Sequence, residues 1–121
     1  MKMMNAKTLG FIHFAFTKLS KKRQDLLVKR NKQVVALIVD ILYNIANNNI
    51  VPRDTSTINN LKKERRHIYK LFERSTSHNK KSKILIQRSN IIKAILPLLP
   101  SIRKTIQNEP LYEDVSYKRR R

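Results

Sequence analysis

Cysteine is absent from this 121-residue chain, and that absence removes disulfides, thiolate metal sites and cysteine nucleophiles together. It fits a reducing compartment. Glycine is nearly absent too, with Gly10 the only one. Phosphate loops and dinucleotide fingerprints need several glycines so that backbone can approach phosphate closely, and neither has a place here. Acidic residues are few, 8 against 27 Lys plus Arg. They are scattered, so no carboxylate pair offers general acid–base chemistry. His13, His67 and His78 stand at no metal-ligand spacing from one another and read as surface or boundary side chains. Serine and threonine fall at caps and turns, where backbone hydrogen bonding accounts for them. The composition therefore points away from an enzyme and calls for no cofactor and no metal. Long apolar runs are missing as well. None reaches the roughly 18 residues of a membrane-spanning helix. The stretch from Leu9 to Phe16 is short, contains His13 and lacks a small-residue cleavage site, so it reads as the start of the protein and not as a signal peptide.

What the chain has in excess is positive charge, a formal +19. Charge on that scale repels itself and opposes compaction, and a polyanion relieves the repulsion. Nucleic acid is the first candidate, because each phosphate neutralised releases a condensed counterion. An anionic membrane surface is the second, and an acidic protein the third.

Apolar residues Leu26, Leu27, Val34, Leu37, Ile38, Ile41, Leu42 and Ile45 recur at three- and four-residue steps. The spacing predicts one helix from about Ser20 to Ile45 or Ala46, stopped by Asn47-Asn48-Asn49, since Asn tolerates the left-handed backbone of a helix end. Asp54 is a candidate N-cap for a second helix reaching about Arg74, with Ile58, Leu61, Ile68, Leu71 and Phe72 as its apolar stripe. Ser77 caps a third, which carries Lys80, Lys81 and Lys83 into Ile84-Leu85-Ile86. Ser89-Asn90 marks a break, Pro97 and Pro100 interrupt the apolar segment that follows, and a last helix resumes from Ser101 to about Gln107. The expected fold is all-α, a small bundle of three to four helices with a basic, disordered C-terminal tail. The expected division is an N-terminal segment at 1–17, which could pack or dangle, a basic helical domain at 18–107 and a tail at 108–121.

The cations cluster. Lys21, Lys22, Arg23, Lys29 and Arg30 open the first helix. Lys62, Lys63, Arg65, Arg66, Lys70, Arg74, Lys80, Lys81, Lys83 and Arg88 face only Glu64 and Glu73, and Lys118, Arg119, Arg120 and Arg121 close the chain. An ordinary solvated helix face mixes both signs, because mixed signs give stabilising pairs, and this one does not. All of these except Arg74 are candidate nucleic-acid contacts. Dispersed Lys and Arg favour phosphates, which position a protein without specifying sequence. The helices ending at Arg74 and starting at Ser77 also allow a helix-turn-helix reading, although the second helix offers mostly Lys, with Asn79 and Gln87 its amides, for base readout. The segment Ile91 to Ile106 reads as core, or as a membrane-active amphipathic helix. The apolar content of 34–46 and 84–99 makes a homo-oligomer plausible.

The order of features resembles a known family. An apolar helix reaches Ile41-Leu42-Tyr43-Asn44-Ile45-Ala46-Asn47-Asn48-Asn49, then Ile50-Val51-Pro52, a capped helix with Leu61-Lys62-Lys63, and a Ser-led basic run into Ile84-Leu85-Ile86-Gln87-Arg88 and Leu96-Pro97-Leu98-Leu99. Over about residues 30–103 this is similar to the small basic proteins of adintoviruses and Maverick/Polinton elements, relatives of the adenovirus core protein X (mu precursor). The resemblance implies a minor virion or core component that packages double-stranded DNA, located in the virion and host nucleus, with capsid proteins as further partners. Lys80, Lys81, Lys83 and Arg88 fall on the family's basic run, and Lys62 and Lys63 on its Leu-Lys-Lys helix. Where that family often has Gly-Asn and Gly-Gly, this chain has Asn48-Asn49 and Ser89-Asn90, so maturation cleavage beside glycine pairs has no site, and the protein is expected to act uncleaved or to be a domesticated or divergent copy. Two other readings remain beside sequence-independent DNA condensation: a capsid-associated or membrane-active virion protein, and a cellular helix-turn-helix regulator.

Overall fold

A computed structural model describes residues 6–108, and these form eight α-helices and one turn of 3-10 helix, with no strand among the described residues. The helices are α1 Ala6–Lys18, α2 Lys21–Arg30, α3 Lys32–Ala46, α4 Thr55–Lys63, α5 Arg65–Phe72, α6 His78–Gln87, α7 Asn90–Ile95 and α8 Leu99–Asn108, with the 3-10 turn Leu96–Leu98 between the last two. The all-α expectation holds, but eight α-helices stand where three to four were expected. The tail from residue 109 lies outside the described residues, including Pro110 and Lys118 to Arg121.

Two of the additional helices come from breaks inside the long periodic segments. Asn31 takes extended backbone (φ −115, ψ 99) and so ends α2, while its side-chain oxygen accepts from the Val34 amide at 3.1 Å and caps α3. The single helix expected over 20–46 is therefore two. Glu64 (φ −98, ψ 10) divides the expected 54–74 helix into α4 and α5, through a backbone turn with no side-chain cap hydrogen bond. Residues 6–18, for which the sequence alone gives no element, form α1 and bury Leu9, Ile12, Ala15 and Phe16. The prolines cost little. Pro97 sits in the first turn of the 3-10 segment and Pro100 in the first turn of α8, where an amide proton has no intrahelical acceptor to lose.

Local signals elsewhere act as their chemistry dictates. Ser20, Asp54 and Ser77 cap α2, α4 and α6 through side-chain oxygens. Asn48 is the one non-glycine residue with positive φ (63) among the described residues, and beyond it the amides of Asn49 and Ile50 close on the Asn44 carbonyl at 2.8 and 3.1 Å.

One hydrophobic core runs through all of this. Its fully buried centre includes Leu9, Ile12, Ile38, Leu85, Ile95 and Leu99. α3 lies beneath α2, α5 and α6, α1 packs on α8, and α4 packs on α7. The apolar side chains Ile91, Ile92, Ala94, Ile95, Leu99 and Ile102 are buried there, so in this fold they are not free to face a bilayer. No described helix is long and apolar enough to cross a membrane.

Gly10 faces α8, where a Cβ would meet the Arg103 guanidinium at 3.1 Å. That group is the far end of an exposed, flexible side chain, whereas glycine in a helix costs about 0.5–1 kcal/mol relative to alanine. Gly10→Ala is therefore expected to stabilise the fold by about 0.5 kcal/mol, read as a raised midpoint in urea unfolding.

Candidate nucleic-acid interface

The break at Asn31 lets α2 turn back antiparallel to α6. At one end of their seam α2 residues 28 and 29 meet His78 and Ser82. At the other, Lys21, Asp25 and Val28 share a cleft with Leu85, Ile86 and Ser89. The seam solves a problem at the end of α2, where the last carbonyls have no intrahelical partner. The buried Ser82 hydroxyl donates to the Val28 carbonyl at 3.1 Å and His78 Nε2–H donates to the Lys29 carbonyl at 3.0 Å. Two side chains of α6 thus cap a helix about fifty residues earlier. Ser82→Ala leaves the Val28 carbonyl buried and unpaired, and is expected to cost about 1–3 kcal/mol of unfolding free energy, measurable by denaturant titration.

With α2 on one flank and α5 on the other, α6 presents Asn79, Lys80, Lys83 and Gln87 outward, all exposed. Lys22, Arg23, Lys29 and Arg30 are exposed on α2, and Arg66 and Lys70 on α5. The fold has therefore joined two clusters that are far apart in sequence, 21–30 and 80–83, into one basic layer with the α5 cations beside it. It also adds two cations from outside those clusters. Lys32 lines a cleft with His78 and Lys81 at one end of the seam, and Lys93 lines the cleft with Lys21 at the other. Neither was a candidate on sequence grounds, and only the packing reveals them.

Other candidates separate from this layer. Lys62 and Arg65 rim an apolar cleft of about 360 Å³ between α3, α4 and α5, formed by Leu42, Ile45, Ile58, Leu61 and Ile68. Lys63 is exposed at the end of α4. Arg88 has a structural task. Its Nε and Nη2 donate to the two oxygens of buried Glu64 at 2.8 and 3.1 Å, tying the end of α6 to the α4–α5 junction. Those hydrogen bonds, with the carboxylate charge, hold the Arg88 guanidinium above its ordinary pKa. Lys21 pairs with Asp25 at 2.6 Å, an exposed i, i+4 pair that exchanges readily for another anion.

Most acids among the described residues are occupied within the fold. Asp25 holds Lys21, Asp54 caps α4 and Glu64 holds Arg88. Asp40 lies within α3, where it accepts from the Asn44 side chain at 3.3 Å. Of the five acids between residues 6 and 108, only Glu73 has no such tie. Twelve of the fourteen candidate cations among the described residues, all but Lys21 and Arg88, have no ion pair with a described carboxylate.

Helix polarity adds to the imbalance. No described helix carries an acid in its first turn. Lys21, Lys22 and Arg23 open α2, Arg65 and Arg66 open α5, and Lys80 lies in the first turn of α6. A cation at a helix N-terminus opposes the macrodipole by about 0.3–1 kcal/mol, whereas an anion there meets unpaired amides and the cations together. Among the described residues no cluster of His, Asp and Glu could hold a metal ion. No family model, curated protein or solved structure matches this chain.

Proposed function

We propose that this protein binds double-stranded DNA without sequence preference and condenses it, through the layer of cations on α2, α6 and α5. The observation that carries the reading is the occupation of the acids. Because Asp25, Asp54 and Glu64 are tied into caps and pairs, the Lys and Arg around them far outnumber the acids left among the described residues to offset them, and a polyanion supplies the missing counter-charge. The exposed groups are mostly ammonium and guanidinium on long side chains, suited to phosphates and not to base edges. The further assignment, to a minor core component of a DNA virus or virus-derived element, rests on the resemblance over residues 30–103.

A salt titration tests it. If roughly six to eight phosphates are neutralised, log K against log salt falls with a slope of about −5 to −7, and affinity drops a thousandfold or more between about 50 and 200 mM. Random-sequence duplex should compete as well as any chosen site. A flat salt response, or a strong preference for one sequence over random competitor, overturns the proposal.

A further inference from the structure

The helix α1 is apolar on two sides. One side, Leu9, Ile12, Ala15 and Phe16, is buried in the core. On the other, Phe11 and Phe14 are 48% and 57% exposed. Grouped exposed aromatics mark a surface that something covers. Helical geometry decides what shares that face. At 100° per residue, positions 7, 11, 14 and 18 fall within one narrow stripe. The stripe reads Lys7, Phe11, Phe14, Lys18, and all four are exposed.

We propose that this face of α1 docks on an anionic lipid bilayer, with the Phe11 and Phe14 rings among the upper acyl chains and the Lys7 and Lys18 ammonium groups on lipid headgroups. The charge pattern selects the occupant. The first acid in the chain is Asp25, so α1 offers no counter-charge, and a second copy would set lysines against lysines. The two rings lie together at mid-helix, about 4.5 Å apart along the axis, while the lysines stand about 16 Å apart at the ends. That layout matches a bilayer, where apolar groups enter below a charged plane and lysines reach back to it. It suits a nucleic-acid strand less well, because stacked bases each bring a phosphate beside the rings, whereas the two lysines of the stripe stand one turn beyond the ring pair, one at either end. The proposal is independent of DNA binding by α2, α5 and α6.

Vesicle flotation of the full chain tests it. The probe is vesicles of roughly 70% phosphatidylcholine and 30% phosphatidylglycerol, at about 0.5 M salt, where the Debye length shrinks to a few ångströms and charge attraction alone is screened. Wild type is expected to float with the vesicles. The Phe11→Ser/Phe14→Ser variant should bind them at least about tenfold more weakly, with an unchanged circular dichroism spectrum and unchanged duplex-DNA affinity. Equal vesicle binding by the variant and wild type overturns the proposal, as does failure of wild type to bind at this salt. Selective loss of single-stranded DNA binding overturns it in favour of base stacking. A wild-type dimer that the variant abolishes, without vesicle binding, overturns it in favour of self-association.

Discussion

Replacing Lys29, Arg30, Lys80 and Lys83 together with glutamine is expected to weaken duplex-DNA binding by about 100- to 1000-fold near 150 mM salt. The size follows from counterion release. Leaving four phosphates without their cations makes the log–log salt slope shallower by about 3 to 4, and at that salt each neutralised phosphate is worth somewhat less than tenfold. All four side chains are exposed, and none is an ion-pair partner of a described acid, so the fold should not suffer. Net charge alone would predict a similar loss from any four cations. The control is the quadruple change of Lys7, Arg53, Arg103 and Lys104 to glutamine. These lie on α1, on α8 and before α4, elements that do not pack principally on α6. The control should bind within a few-fold of wild type. Equal losses from the two variants would mean that charge acts diffusely and that the α2–α6 layer is no special surface.

That layer was half legible in the sequence. The runs 21–30 and 80–83 are visible as composition, and the caps at Asp54 and Ser77 as chemistry, because a side-chain oxygen bonding an amide two or three residues on is a local event. What joins the two runs is not local. His78 and Ser82 bond carbonyls 49 and 54 residues away, and serine and histidine at such positions carry no sign of that task. The break at Asn31 was hidden for a different reason. It stands between Arg30 and Lys32, without glycine or proline, in a stretch whose apolar spacing continues through it. Arg88 shows the converse. As one more cation in a basic run it reads as a phosphate contact, and only the position of Glu64, 24 residues earlier, gives it a partner. Helix α1 was obscured because apolar residues on two sides blur the one-sided periodicity that marks a surface helix.

Leu85→Ala is expected to cost about 2–5 kcal/mol, the range for emptying a fully buried leucine site. Leu85 has no exposed surface and lies one turn beyond Ser82, on the side of α6 that faces the core. The upper half of that range is a large part of the roughly 5–15 kcal/mol that holds a typical domain folded. At this chain length thermal unfolding should fall by roughly 10–25 °C. The substitution removes no charge, so its effect on DNA binding should come only through folding. Duplex DNA at about 100 times its Kd should return about 2.7 kcal/mol of stability to the variant, and in excess DNA the salt slope should equal that of wild type. The joint pattern, a large thermal shift with an unchanged salt slope, is the inverse of that expected for the quadruple glutamine variant. If Leu85→Ala instead shifted the salt slope, its packing and the phosphate contacts would not be separable, and the layer would be held in shape by the DNA and not by the core beneath it.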